Sequence, residues 1–132
     1  DPNKMDLWSF GTWRVSVDGD GLVNGRSIFD GSTIFVRIEP NAQNQLIDYC
    51  VGIKPENLEP RIFVRVTPGE VTGSSTQNCV LSMVAFRTEG MSDDRWNRLV
   101  TAHAFEVQLI KSLLENDFDH RNLPSSGTTQ AS

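Results

Sequence analysis

Long hydrophobic runs are missing from this sequence. No stretch approaches the roughly 18 uninterrupted apolar residues of a membrane span, which predicts a soluble chain without a membrane partner. The N-terminus, Asp1-Pro2-Asn3-Lys4, carries no signal-peptide pattern. Cysteine is scarce. Cys50 and Cys79 lack the CxxC spacing of metal and redox motifs and fall inside apolar strand-like segments, so two buried thiols are expected in preference to a disulfide. There is no GxSxG, no phosphate-cradling glycine loop and no HExxH, so every enzyme class with a short signature fails its first test. The expectation is a protein without catalysis, metal or cofactor. Positive charge is in deficit as well: 12 Lys and Arg against 17 Asp and Glu leave a net charge of −5. That balance excludes a generally basic nucleic-acid binder and leaves room for a local basic patch.

What is present fits one core. A chain of 132 residues, 38% of them hydrophobic, predicts a single domain over 1–132, with residues 1–6 and 125–132 as loose termini. Strand patterns dominate the first two thirds. Leu7 to Val17 is rich in aromatic and β-branched residues, and the Asp18-Gly19-Asp20-Gly21 turn signal makes it a hairpin with Leu22 to Phe29. Thr33 to Glu39 then ends at Pro40, Leu46 to Ile53 ends before Pro55, and Arg61 to Thr67 repeats the same alternation. Pro68 to Asn78 is rich in Gly, Ser and Thr, an extended connection of the kind that often has a function of its own. Cys79 to Phe86 is apolar at nearly every position, which suits a central strand or one covered on both sides.

One long helix follows. Ser92 is placed to cap it, with Asp93 and Asp94 in the first turn where carboxylates meet the positive end of the helix dipole. Trp96, Leu99, Val100, His103, Val107, Ile110 and Leu114 recur at three- and four-residue spacing, and Phe105, Leu109 and Leu113 widen the stripe. A stripe that broad needs a sheet to cover it, either the chain's own or a partner's. About six strands followed by C-terminal helix, without βαβ alternation or repeats, make an α+β fold.

Charge is unevenly placed. From Glu89 to Asp119, seven acids (Glu89, Asp93, Asp94, Glu106, Glu115, Asp117, Asp119) face Arg95, Arg98 and Lys111, so the helical side is expected to be acidic. In the sheet segments Arg37, Arg61, Arg65 and Arg87 stand against Glu39 and Asp48. Alternation puts Arg61, Phe63, Arg65 and Thr67 on one face and Ile62, Val64 and Val66 on the other. The first face is either an ordinary solvated sheet surface or one that holds RNA phosphates and bases. His120 beside Asp117 and Asp119 reads as a polar helix end near the negative dipole, and His103, inside the apolar stripe, reads as a core or interface residue.

The layout resembles the coat proteins of single-stranded RNA bacteriophages (leviviruses): an N-terminal hairpin, an antiparallel meander, a loop before the last strand, then helix. The likeness is closest from Val80 to Thr88, through Ser92-Asp93-Asp94, to Leu99, Val100 and Leu109. It implies an interlocked homodimer whose helices cross onto the partner's sheet through Trp96, Leu99, Val100, His103, Val107 and Ile110. It further implies an icosahedral shell with contacts between dimers through Pro68, Gly69, Gly73, Ser74, Ser75 and Thr76. A sheet face carrying Arg37, Arg61, Arg65 and Arg87 would bind single-stranded RNA, including a hairpin through which the protein represses translation. Such a protein belongs in the virion, assembled in a bacterial cytoplasm. The rival expectation is a small acidic dimeric binding module or secretion-type chaperone.

Overall fold

Period-two alternation organises the strands between residues 13 and 85. The computed structural model describes residues 1–124; the tail 125–132, expected to be loose, lies outside the described residues. The strands are β1 (Trp13–Val17), β2 (Val23–Arg26), β3 (Thr33–Asn41), β4 (Leu46–Gly52), β5 (Glu59–Pro68) and β6 (Cys79–Ala85), followed by helix α1 (Asp93–Asn116). They form one sheet in chain order, β1-β2-β3-β4-β5-β6, antiparallel at each step. The fold is α+β, a six-strand meander followed by a helix.

The apolar face carries the core. Val23, Val36, Tyr49 and Val64, one from each of β2 to β5, are buried together with Met5, and Ile34, Ile38, Ile62, Leu81 and Met83 pack against them. The parity expected for β5 holds: Val64 is buried and Arg65 is exposed.

The N-terminus departs from expectation. Residues 1–6 are neither loose nor strand-like; Pro2–Leu7 forms a 3-10 turn capped by the Asp1 side chain, and Met5 enters the core. Trp8 turns inward to meet the Tyr49 ring edge-on at 6.1 Å, so the strand expected from Leu7 begins only at Trp13. β3 runs through Pro40 to Asn41, where Pro40 pairs opposite Ile47 close to the strand's end.

Three further differences matter for function. β6, expected to be central or doubly covered, is among the described residues an edge strand with only β5 beside it, and its residues alternate between half-buried and exposed. Both cysteines are free thiols; Cys50 is buried as expected, but Cys79 is exposed because it opens the edge strand opposite Pro68. The connection 69–78 is folded rather than extended. Gly69–Thr72 makes a 3-10 turn closed by Gly73 in the left-handed region, and the Gly69 amide donates to the Asn78 carbonyl at 2.9 Å. Only glycine fits at 69, since a Cβ there would stand 2.3 Å from the Ser75 carbonyl oxygen.

Helix α1 begins as its cap predicts: the Ser92 hydroxyl accepts from the Arg95 amide at 3.2 Å. It crosses beneath the apolar face of the sheet without closing on it. Between them lies a cavity of about 420 Å³ lined by Met5, Trp8, Tyr49, Ile62, Met83 and Leu99 among others. No helix among the described residues is long and apolar enough to cross a membrane.

Candidate nucleic-acid and subunit interfaces

Strand register decides what the polar face of the sheet presents. Glu39, Asp48, Phe63 and Val84 form one row across β3 to β6. Arg37 pairs with Cys50 on one side of that row, and Arg65 pairs with Leu46 and Ser82 on the other. Strand spacing and rise then set Arg37 and Arg65 about 16 Å apart. Arg61 is already engaged, its guanidinium 2.6 Å from the Glu59 carboxylate. Arg37, Arg61 and Arg65 therefore share this face with Glu39, Asp48 and Glu59, and the face is charge-balanced. Among the described residues Arg37 and Arg65 make no ion pair.

Arg87 is not brought to this group. It follows β6 and turns back to the helix start, pairing with Asp93 and donating to the Met91 carbonyl at 3.1 Å. Near the β6 edge the polar face becomes apolar and aromatic. Phe63 and Phe86 lie 5.9 Å apart, and Val80, Val84 and Phe86 are all exposed. Cys50 sits shallowly on the same face, its thiol pushed up from the ordinary range by burial first and then by Glu39 and Asp48.

On the helix, the residues expected at a dimer interface divide. Trp96, Leu99, His103, Val107 and Ile110 are half-buried within the chain, while Val100 is exposed, as are Phe105 and Leu114 beside it in the stripe. One member of the helix's inner row is an acid. Glu106, counted above with the surface carboxylates, is 3% exposed, and its Oε1 accepts the Phe10 amide at 2.9 Å. Burial raises the Glu106 pKa, partly offset by the backbone amides of Phe10 and Gly11. His103 Nε2 lies 3.8 Å from its other oxygen, and burial lowers the histidine's pKa. Glu106 could have been found from spacing alone, because 99, 103, 106, 110 and 113 form one helical row.

The helix end is also tied down. Asp119 is bound by the Arg121 guanidinium, which holds its pKa at about 2. The same guanidinium donates to the Asn3 carbonyl at 2.8 Å and to Asp6 at 3.0 Å. His120 thus sits in a structural clamp, and among the described residues no group of acids, cysteines and histidines is arranged to hold a metal.

The chain exposes 9340 Å², whereas a compact monomer of 132 residues exposes about 6,900 Å². Eight fully extended residues at the C-terminus would account for at most about 1,100 Å² of the difference. More than about 1,000 Å² remains, above the roughly 800 Å² per partner of an ordinary stable interface. Comparison with protein-family models, with curated proteins and with solved structures returns no match.

Proposed function

We propose that this chain is a self-assembling coat subunit that dimerises and encloses single-stranded RNA. The observation that carries the proposal is the unfinished sheet: among the described residues its last strand, β6, has an open edge, and its apolar face meets its own helix across a cavity. An open edge bearing exposed Val80, Val84 and Phe86 is a template for strand pairing. Two copies joined antiparallel through β6 would make a continuous twelve-stranded sheet, and apolar helix residues left exposed, Val100 and Leu114 among them, would find cover on the partner. The excess exposed area supports a partner of that size, and the likeness in layout to the phage coat proteins supports the same arrangement.

RNA would lie on the polar face. Arg37 and Arg65 supply charge without an ion-pair partner among the described residues, and the exposed ring of Phe86 beside Phe63 offers a surface on which a base can stack. Because Glu39, Asp48 and Glu59 share the face, affinity for any one phosphate is modest, and packaging depends on many subunits acting together.

The balanced charge of that face favours a second reading, a dimeric binding module whose partner is a protein segment. Nuclease protection separates the two. Protein purified from a bacterial host should carry RNA that resists added ribonuclease until the particle is opened; an RNA-free dimer would leave the binding module.

A further inference from the structure

The cavity between helix and sheet is apolar on one side and chemically specific on the other. Ile34, Val36, Tyr49, Val51, Ile62 and Met83, from β3 to β6, make its floor, and the rings of Trp8 and Phe29 add aromatic surface. At about 420 Å³ it is well above the roughly 150 Å³ that holds benzene and lies within the range of small-molecule sites. Exposed Asp30, Ser32, Arg95 and Arg98 mark where it reaches solvent.

Two polar side chains open into this space from the helix. Glu106 accepts the Phe10 amide through Oε1, and the Gly11 amide also faces its carboxylate, but Oε2 makes no hydrogen bond among the described residues. Oε2 stands 3.8 Å from His103 Nε2, too far for a hydrogen bond, and the His103 ring makes none elsewhere among the described residues. No sealed side-chain oxygen or nitrogen among the described residues lacks a partner, so these unbonded atoms reach the cavity that both residues line. Glu106 is 3% exposed, so the access is to the cavity and not to bulk solvent.

The chemistry of that gap selects a hydroxyl. Burial lowers the His103 pKa, so near neutral pH the ring is uncharged and carries one N–H. A hydroxyl about 2.8 Å from each atom spans the gap, giving its proton to Oε2 and accepting the ring N–H. Charge excludes an ion: Asp30 and Glu106 stand against Arg95 and Arg98 in the lining, and Arg98 is already bridged to Asp94 at 3.3 Å. Water alone would satisfy the two polar atoms but leave the apolar floor wet, whereas a hydroxyl carried on a ring makes the same bonds and buries the floor as well.

We propose that the cavity is a binding site for a small uncharged aromatic alcohol, its hydroxyl held between Glu106 Oε2 and His103 Nε2 and its ring and short alkyl chain lying on the apolar floor. Every group involved belongs to one chain, so the site is independent of the shell reading.

Equilibrium dialysis of the purified chain against para-butylphenol, butylbenzene and para-butylbenzoate tests it in whatever assembly the protein takes. The phenol should bind saturably, and the hydrocarbon and the anion at least about tenfold more weakly. In His103→Phe, which keeps a ring and removes the donor, the preference for phenol over hydrocarbon should fall severalfold while the hydrocarbon binds as before, a change of ratio that a merely structural role would not produce. Photolabelling with a diazirine-bearing alkylphenol, mapped by mass spectrometry, should mark the segments holding Trp8, Met83 and Leu99, and excess para-butylphenol should block it. Thermal melting checks the variant's fold, and the parent's ligand series decides even where the variant melts early. No saturable binding, equal binding of phenol and hydrocarbon, tighter binding of the benzoate, labels elsewhere, or an unchanged ratio in a folded His103→Phe would overturn the proposal.

Discussion

Glu106 accepts the Phe10 amide at 2.9 Å across 96 positions of sequence, joining the middle of the helix to the segment that leads into β1. Phe105, the neighbouring helix residue, stacks on the Phe10 ring, and Arg121, in the 3-10 turn His120–Asn122 beyond the helix, binds Asn3 and Asp6. The helix is thus tied to the N-terminal segment through Phe10 and meets the sheet at β6. A tether of that kind explains how it can cross the sheet and still leave a cavity between them.

Removing the acceptor should loosen the tether. Glu106→Ala leaves the half-buried Phe10 amide without its partner, which costs about 1 kcal/mol in chemical denaturation, the low end for an unsatisfied donor. Glu106→Gln keeps a carbonyl acceptor and should lose less. Hydrogen exchange at Phe10 should accelerate strongly in the alanine variant and little in the glutamine variant.

Glu106 and His103 should give opposed pH dependences. Burial raises the Glu106 pKa above its usual value near 4.5, so the folded state holds that proton more tightly; its contribution is complete below 4.5 and is lost as pH rises through the raised value. Burial lowers the His103 pKa below 6.5, so its contribution is complete above 6.5 and is lost as pH falls through the lowered value. Unfolding free energy measured across pH 4 to 8 should lose its fall on the acid side of 6.5 in His103→Gln. In Glu106→Gln it should lose its fall above 4.5.

The polar face makes unequal predictions for its arginines. Arg61 is paired with Glu59, whereas Arg37 and Arg65 make no ion pair among the described residues. Arg37→Gln with Arg65→Gln should therefore weaken RNA binding more than Arg61→Gln does. Each phosphate contact removed should flatten the logarithmic salt dependence by about 0.7 for a single strand. Titration with a single-stranded RNA at several salt concentrations reads both effects. The core side of β5, through Val64, is untouched, so folding should be spared.

Charging the open edge should stop self-association. Val80→Lys with Val84→Lys places two cations on exposed positions of β6, a device by which natural edge strands avoid pairing. The double variant should run as a folded monomer with unchanged far-ultraviolet circular dichroism.

The sheet was legible because half-buried strands repeat with period two, and Val36, Val64 and Arg65 lie on the sides that alternation assigns. The helix was legible because Ser92, Asp93 and Asp94 suit its first turn and no proline interrupts the 24 residues that follow. The place of β6 was not legible: apolar residues at nearly every position pointed to a central strand, and only the sheet order puts it at the edge. Nor could local pattern reveal that Trp8 turns inward onto Tyr49, since Leu7 to Val17 has the composition of a strand throughout. In the candidate site, the Arg61–Glu59 pair was readable in principle from two-residue spacing on one face. The diversion of Arg87 to Asp93 depends on where the turn after β6 places the helix, which composition does not specify.

The mass of the purified chain in solution, measured by light scattering with absorbance at 260 and 280 nm, tests the central claim most directly. The account predicts megadalton particles with the absorbance of RNA, built from a dimer that persists when the particles are dissociated. A monomer of 132 residues that stays monomeric at high concentration and carries no nucleic acid would contradict it.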